Sequence, residues 1–478
     1  MDLQLRVLNS LEVSPLDHSS TSPTENENET KSMLVRWVPS RFNAQSTTPE
    51  GDLILWNSFT GAINQFPALQ KPAISTVLSR EGVVAEPKGI VKYLHDRGYL
   101  VREGTNEYRR VEVAFGRTQF RRDILELILL ASEDCNFRCV YCYEDFARGT
   151  MQQRVRTAIK RYVTDRAPDL KHLHINWFGG EPLYGFQAVE DLAPFFKGIS
   201  EQHGLEFGSH MTTNGYLLTP EIANKLLSWG VNDFQITLDG TPEQHDCRRR
   251  GRDGSGTFAR ILSNLLELKK RDAQFHVVLR INYDRDTFKT LEPFLDSLQT
   301  SFAEDRRFVV SFQPVGALGG DRDDTLPLCG IKDARQARAM LPALALERGL
   351  QISTLAESSG VGAQVCYAAR PYNFIIGASG KIMKCTVALD KKSYNIVGQI
   401  TDDGHLEIDD DKLARWIAPA FESDSGCQKC QLLPTCQGML CPWIRFEQGQ
   451  RPCPGYRSTL HSELNVVARV RREQSKSR

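Results

Sequence analysis

The chain has 478 residues, with 59 Lys and Arg against 59 Asp and Glu, 41% hydrophobic and 25% charged residues. At about 150 residues per domain this length predicts roughly three domains, and the balanced charge offers no whole-chain field to nucleic acid or an anionic membrane. The opening MDLQLRVLNSLEV lacks the basic start and continuous apolar run of a signal peptide, and no apolar stretch approaches the length of a bilayer span, so a cytoplasmic protein with its 12 cysteines mostly reduced is expected.

Residues 1–33 include SPLDHSSTSPTENENETKS, which has no apolar periodicity and reads as a flexible lead-in. Residues 34–118 read as a compact module: an apolar run LILWNSFTGAI, a short amphipathic helix marked by Ile90, Leu94 and the Gly98 stop, and a hairpin from Tyr99–Val101 and Tyr108–Val113. This mixed pattern suits a winged-helix-like accessory unit or a structural cap on the next domain. Residues 119–345 alternate apolar strands (ILELILLA, HINWF, the stretch ending MTTNG, DFQITLD, HVVLRIN, FVVSFQP) with helical periods near 151–165, 186–200, 220–229, 257–270 and 286–297. Six such units predict an α/β fold with a parallel sheet, in the form of a partial (β/α)6 barrel. Residues 346–478 are read as a loop-rich, Cys-rich domain.

The unusual residues fall at strand ends, where βα loops converge. Cys135, Cys139 and Cys142 follow the first strand, Gly179, Gly180, Glu181 and Pro182 the second, and Thr213 and Asn214 the third. Thr237 and Asp239 end the fourth, Arg280 and Asn282 the fifth, Gln313 and Pro314 the sixth. Three thiolates spaced C-x3-C-x2-C can hold three corners of a 4Fe-4S cubane and leave one iron open, whereas tetrahedral zinc wants a fourth ligand that the loop does not supply. Asp239 is a candidate general base, although an Asp-Gly turn explains it as well. The run Arg248 to Arg250 reads either as a solvated face or as a clamp on an acidic peptide. Cys247 and Cys329 match neither cysteine cluster and read as plain buried thiols.

CNFRCVYCYE resembles the cluster loop of the radical S-adenosylmethionine (radical SAM) enzymes, with Tyr141 at the place of an aromatic beside the adenine. FGGEP continues the resemblance, which implies that Gly179, Gly180, Glu181 and Pro182 hold the α-ammonium of the methionine moiety. Thr237 and Asn282 are implied as ribose or methionine contacts, and Arg280 as a carboxylate contact. Cys366, Cys385, Cys427, Cys430, Cys436, Cys441 and Cys453 resemble the SPASM extension, which carries two auxiliary 4Fe-4S clusters. By that resemblance Cys427, Cys430, Cys436 and Cys453 complete one cluster, while Cys366, Cys385 and Cys441 ligate the other with no evident fourth cysteine. The family usually places three residues between its fifth and sixth cysteines; here Gln437 to Leu440 makes four, which puts Cys441 in question.

The resemblance implies an enzyme that cleaves S-adenosylmethionine to a 5'-deoxyadenosyl radical, abstracts a hydrogen from a precursor peptide and installs a thioether or carbon–carbon cross-link. Sulfatase-maturase-like formylglycine formation and peptide epimerisation are the enzymatic alternatives; an iron-sulfur electron carrier or a peptide-binding scaffold is the non-catalytic one. A leader peptide on the N-terminal module and a flavodoxin or ferredoxin as electron donor are the expected partners. No cluster ligand lies in that module, so its removal is expected to spare cofactor chemistry.

Overall fold

The computed structural model describes residues 34–476 apart from residues 87, 147, 390 and 391; the expected flexible lead-in, residues 1–33, lies outside the described residues. The N-terminal unit contains β1 (Val35–Pro39), β2 (Asn43–Thr47), β3 (Leu53–Asn57), β4 (Ile63–Phe66), β5 (Val83–Ala85) and β6 (Leu100–Arg102), arranged as two antiparallel sheets ordered β5-β1-β6 and β2-β3-β4. Strand β3 is apolar at successive positions because both its faces are covered. Leu53 and Leu55 join Trp37 and Tyr99 inside the unit, while Ile54 and Trp56 pack on Leu460, Leu464, Val467 and Ala468 of the C-terminal helix Leu460–Lys476.

The expected hairpin does not form. Strand β6 pairs with β1, and Tyr108–Val113 lies inside the helix Glu107–Gln119. Asn106 caps that helix by accepting from the Arg109 amide at 3.1 Å, and Val111 and Phe115, four residues apart, supply its buried stripe. Phe115 packs with Phe42, Phe421, Cys427 and Leu433, so the module adheres to the cysteine-rich C-terminal region. Arg41 and Ser58 also donate to the Gln428 and Gln431 carbonyls. Removing the module would therefore uncover the C-terminal core.

The middle of the chain supplies β7 (Ile124–Ser132), β8 (Phe137–Cys139), β9 (His172–Gly179), β10 (Glu206–Thr213), β11 (Val231–Thr237), β12 (Arg249–Gly251), β13 (His276–Tyr283) and β14 (Phe308–Pro314). The six anticipated strands stand side by side and parallel in the order β14-β13-β11-β10-β9-β7. Helices Gln153–Arg166, Phe186–His203, Pro220–Ser228, Phe258–Lys269 and Glu292–Phe302 return the chain between them. The last of these starts later than its apolar pattern suggests, because Phe288–Thr290 forms a 3-10 turn and Pro293 fixes the first α-helical turn.

The C-terminal region adds strands to the same sheet. Strand β15 (Gln351–Ile352) adds to β14, and β16 (Asn373–Ile376) pairs in parallel with β7 from Asn373 opposite Glu126 to Ile376 opposite Leu129. Strands β17 (Lys381–Met383), β18 (Ile396–Ile400) and β19 (Leu406–Ile408) come next in antiparallel order, giving one mixed sheet of eleven strands among the described residues. The cysteine loop after β7 thus grows from a strand held on both sides, by β9 and by the extension. Among the described residues no helix is long and apolar enough to cross a membrane.

Leu464 is fully buried between the C-terminal helix and β3. Leu464→Ala is expected to destabilise the protein by about 2–5 kcal/mol. Hydrogen exchange should show the amides of β2 to β4 losing protection together with the helix; protection lost in the helix alone would contradict the shared core.

Candidate functional site

Cys135, Cys139, Tyr141, Cys142, Gly179, Gly180, Thr237, Arg280 and Asn282 line one cavity of about 220 Å³ at the C-terminal edge of the parallel strands. Phe146, Phe178 and Leu318 form its apolar wall. The loop Asp134–Cys142 comes close to the end of β9 because of two glycines. Gly179 has φ +120°, and a Cβ on Gly180 would sit 2.6 Å from the Asp134 carbonyl oxygen. The Gly180 and Glu181 amides donate to the Ser132 and Asp134 carbonyls at 3.0 and 3.1 Å, which fastens strand end to cysteine loop.

Burial, then the charge of Glu181 and those of Cys139 and Cys142, push the Cys135 thiol well above its usual value. Burial also raises Cys139, and it brings Cys142 up to about 12, with Glu144 and Cys139 adding to the shift. The Phe137 amide donates to Cys135 Sγ at 3.3 Å, and Asn214 Nδ2 lies 3.8 Å from the same sulfur. These thiols are close enough to oppose one another's ionisation.

Glu181 and Pro182 depart from expectation, since neither lines the cavity. Glu181 is fully buried, and its carboxylate accepts from Thr213 Oγ1 at 2.7 Å, the Asn214 amide at 2.7 Å and the Leu183 amide at 3.0 Å. It braces the ends of β9 and β10. Burial raises its pKa against these hydrogen bonds. Pro182 starts the 3-10 turn Pro182–Gly185.

Asp239 is likewise outside the cavity wall. Its Oδ1 accepts from the Asn282 amide at 2.9 Å, and its Oδ2 accepts a hydrogen bond from the Tyr141 hydroxyl. Asn282 Nδ2 and Arg249 Nη1 donate to the same hydroxyl oxygen at 3.2 and 2.8 Å, and Arg280 Nε donates to Asn282 Oδ1 at 2.8 Å. An aspartate so occupied anchors Tyr141; it is not a free base.

The arginine run is neither a solvated face nor a clamp. Arg248 pairs with buried Asp284, Arg249 is 7% exposed, and only Arg250 faces solvent. Sequence reasoning missed Arg249 as a separate residue because its neighbour in space, Cys139, lies 110 positions away in the chain, and it comes close only through pairing of β12 with β8. Cys247 is exposed and Cys329 half-buried, so neither is the buried thiol expected.

In the extension, burial and then the charges of Cys385 and Cys441 take the Cys366 thiol to about 12, while Cys385 reaches about 11. The Cys366 amide donates to the Met439 carbonyl at 3.0 Å, and Asn395 Oδ1 accepts from the Cys385 amide at 2.9 Å. The four-residue spacing before Cys441 is taken up by consecutive left-handed residues, Gln437 at φ +49° and Gly438 at φ +68°. Cys436 reaches about 12 by burial, with the charges of Cys430, Cys427 and Cys453 adding to it. Arg457 Nη1 lies 3.0 Å from Cys453 Sγ, and Arg445 Nη2 3.5 Å from Cys427 Sγ. Among the described residues no group of three or more His, Cys, Asp or Glu side chains is arranged to hold a single metal ion.

Residues 129–297 match the family model of the radical SAM superfamily. The chain is 26% identical over 224 residues to a radical SAM cyclopropyl synthase of Paramaledivibacter caminithermalis, covering 43% of this chain and 46% of that protein, less than half its length. It is 23% identical over 375 residues to a cysteine-type anaerobic sulfatase-maturating enzyme of Clostridium perfringens, covering 73% of this chain and 94% of that enzyme. The solved structure of native anSMEcpe with bound AdoMet and the Cp18Cys peptide shares the fold at a TM-score of 0.55 and 19% identity, covering 74% of this chain and all of that one.

His245 connects the anchor of Tyr141 to β12. The Asp239 amide donates to its Nδ1 at 3.2 Å, so the ring proton sits on Nε2, which donates to Thr257 Oγ1 at 3.1 Å; Thr257 in turn donates to the Arg249 carbonyl at 2.6 Å. Burial, then the charges of Arg249 and Arg248, lower the His245 pKa from 6.5 to about 2. The unfolded chain therefore binds a proton below about pH 6.5 that the folded one refuses, and stability present above that pH is lost as pH falls. The loss from this group is about 2 kcal/mol between pH 7 and pH 5. Urea denaturation of His245→Gln at the two pH values should show an acid loss smaller by that amount; an equal loss in variant and wild type would contradict it.

Proposed function

We propose that the chain, whose residues 129–297 match the radical SAM superfamily, is a radical SAM enzyme with a SPASM-like C-terminal extension and that it oxidises a side chain of a peptide or protein held at the cavity beside Cys135, Cys139 and Cys142. The donor set fits a 4Fe-4S cluster at that loop: three crowded, buried thiols disfavour bare thiolates and suit thiolates neutralised by iron. The Nε of Arg249, buried in the same cavity wall without a hydrogen-bond partner among the described residues, supplies a donor facing no protein acceptor. When bound, the cluster and S-adenosylmethionine supply reductive sulfonium cleavage and a radical able to remove a substrate hydrogen atom.

The chain's own residues orient that chemistry. Tyr141, fixed by Asp239, Asn282 and Arg249, offers a rigid face to an adenine. The backbone at Gly179 and Gly180 takes the methionine ammonium, with Thr237, Asn282 and Arg280 for the ribose hydroxyls and the carboxylate. Phe146, Phe178 and Leu318 exclude water from the reacting centre. In the extension Cys427, Cys430, Cys436 and Cys453 hold one auxiliary cluster, and Cys366, Cys385 and Cys441 the other. Arg445 and Arg457 neutralise sulfur charge on the four-cysteine group. Two such centres suit removal of the second electron of a net oxidation.

Of the finer readings, oxidation of a Cys or Ser side chain to formylglycine stands ahead of a cross-link. The observation behind it is the alignment across 94% of a sulfatase-maturating enzyme. Anaerobically reconstituted protein is expected to bind about twelve irons and to turn Cys-containing peptides into hydrazine-trappable aldehydes. A thioether-bridged product would return the reading to cross-linking. Replacing Cys135, Cys139 and Cys142 together by Ala should reduce 5'-deoxyadenosine formation to background while about eight irons remain; persistent cleavage would contradict the assignment of that loop. Cys441→Ala should lose about four irons and all aldehyde yet still form 5'-deoxyadenosine, and full iron content would remove Cys441 from the site.

A further inference from the structure

Strand β12 straps the cysteine loop. It pairs antiparallel with β8, placing Arg249 opposite Cys139, Arg250 opposite Arg138 and Gly251 opposite Phe137. The ladder continues outward through Val140 N to Arg248 O at 2.9 Å and Arg252 N to Asn136 O at 2.8 Å. Of the three consecutive arginines, Arg248 has the buried carboxylate of Asp284 and Arg250 has solvent. Arg249 is more than nine-tenths buried and has no carboxylate in ion-pair reach among the described residues. Its Nη1 is used on the Tyr141 hydroxyl at 2.8 Å, while its Nε has no partner. A buried guanidinium left in this state costs several kcal/mol unless an anion faces it; the group across the ladder is Cys139, a thiolate once it ligates iron, and the Asp239 carboxylate acts on Arg249 as well.

We propose that Arg249 is a positioning residue whose guanidinium is the fixed counter-charge of the Cys139 thiolate, and that it raises the reduction potential of the cluster on the first cysteine loop while holding Tyr141 in place. The inference rests on the reading that Cys135, Cys139 and Cys142 carry such a cluster. The physical reason is that reduction adds negative charge to an already anionic, buried centre. A cation that cannot move or deprotonate stabilises the reduced form more than the oxidised one. Tyr141 adds geometry: its hydroxyl is held by Arg249, Asn282 and Asp239, so strand β12, the loop and the ends of β11 and β13 move as one body.

The test is an EPR-monitored redox titration of the full-length reconstituted protein, following the signal that Cys135→Ala/Cys139→Ala/Cys142→Ala abolishes. Arg249→Gln, which keeps a donor for Tyr141 but no charge, is expected to lower the reduced-to-oxidised ratio at fixed potential about tenfold, ~59 mV for a one-electron couple. Arg249→Lys should restore most of that shift. Tyr141→Phe, which removes the hydroxyl and leaves the charge, should stay near the wild-type potential. A Gln variant that titrates with the wild type overturns the proposal, as does a Lys variant shifted as far as Gln. If Arg249→Gln fails to retain iron, an iron-replete Arg249→Lys near the wild-type potential supports the role of charge, and an iron-free Lys variant overturns it. Wild-type protein without the loop-dependent signal would instead defeat the underlying cluster assignment.

Discussion

Ten thiols fall in groups of three, three and four, eight of them where a bare thiolate is costly, and the surrounding structure is organised around that constraint. Burial is the largest cause raising eight of them, and neighbouring thiols add to the rise at Cys135, Cys142, Cys366, Cys385 and Cys436. The features placed against the sulfurs offset charge. They include amide donors at Cys135, the guanidinium opposite Cys139, and Arg445 and Arg457 at the four-cysteine group. Thiols inert as free groups in such surroundings become good ligands once a metal supplies positive charge. The same burial makes the supports necessary: Asp424 pairs with Arg445 and Arg451 and also caps the turn that presents Cys427.

The geometry of the first loop is set by strand ends held in register. Strand β7 is flanked by β9 and β16, so the loop leaves a fixed base. Glu133, two residues before Cys135, accepts from the Ala378 amide at 2.8 Å and pairs with Arg148. This carboxylate ties the loop directly to the turn between β16 and β17. The extension is therefore a structural neighbour of the first site as well as the carrier of seven cysteines. The N-terminal unit reaches the four-cysteine group through Phe42, Phe115 and the Arg41 and Ser58 contacts. All three parts of the chain share cores.

How much was legible in the sequence depends on the range of the interactions involved. Cysteine spacing is local, and the three-residue and two-residue gaps around Cys139 already specified a shared site. Strands β7, β13 and β14 were readable because most of their residues are buried and apolar, whereas β10 and β11 mix polar, half-buried positions among the apolar ones. Side-chain direction at strand ends was not readable: Glu181 and Asp239 stand beside the cavity but turn to Thr213, Asn214, Asn282 and Tyr141. Part of the helix Glu107–Gln119 reads as a strand because Tyr108, Val111 and Val113 favour extended chain, whereas the Asn106 cap and the Val111–Phe115 stripe decide it. Arg249 was hidden among three arginines because only a pairing between distant segments separates it from its neighbours. Strands β16 to β19 are short, and their order depends on docking to β7, which no local pattern carries.

We propose that the ten cysteines hold three iron-sulfur clusters, one at the first loop and two in the extension. Anomalous diffraction at the iron absorption edge from crystals grown anaerobically tests it most directly. Three iron peaks are expected: one beside Cys135, Cys139 and Cys142, one beside Cys366, Cys385 and Cys441, and one beside Cys427, Cys430, Cys436 and Cys453. Zinc at any of these groups, or no iron at the first, would contradict it.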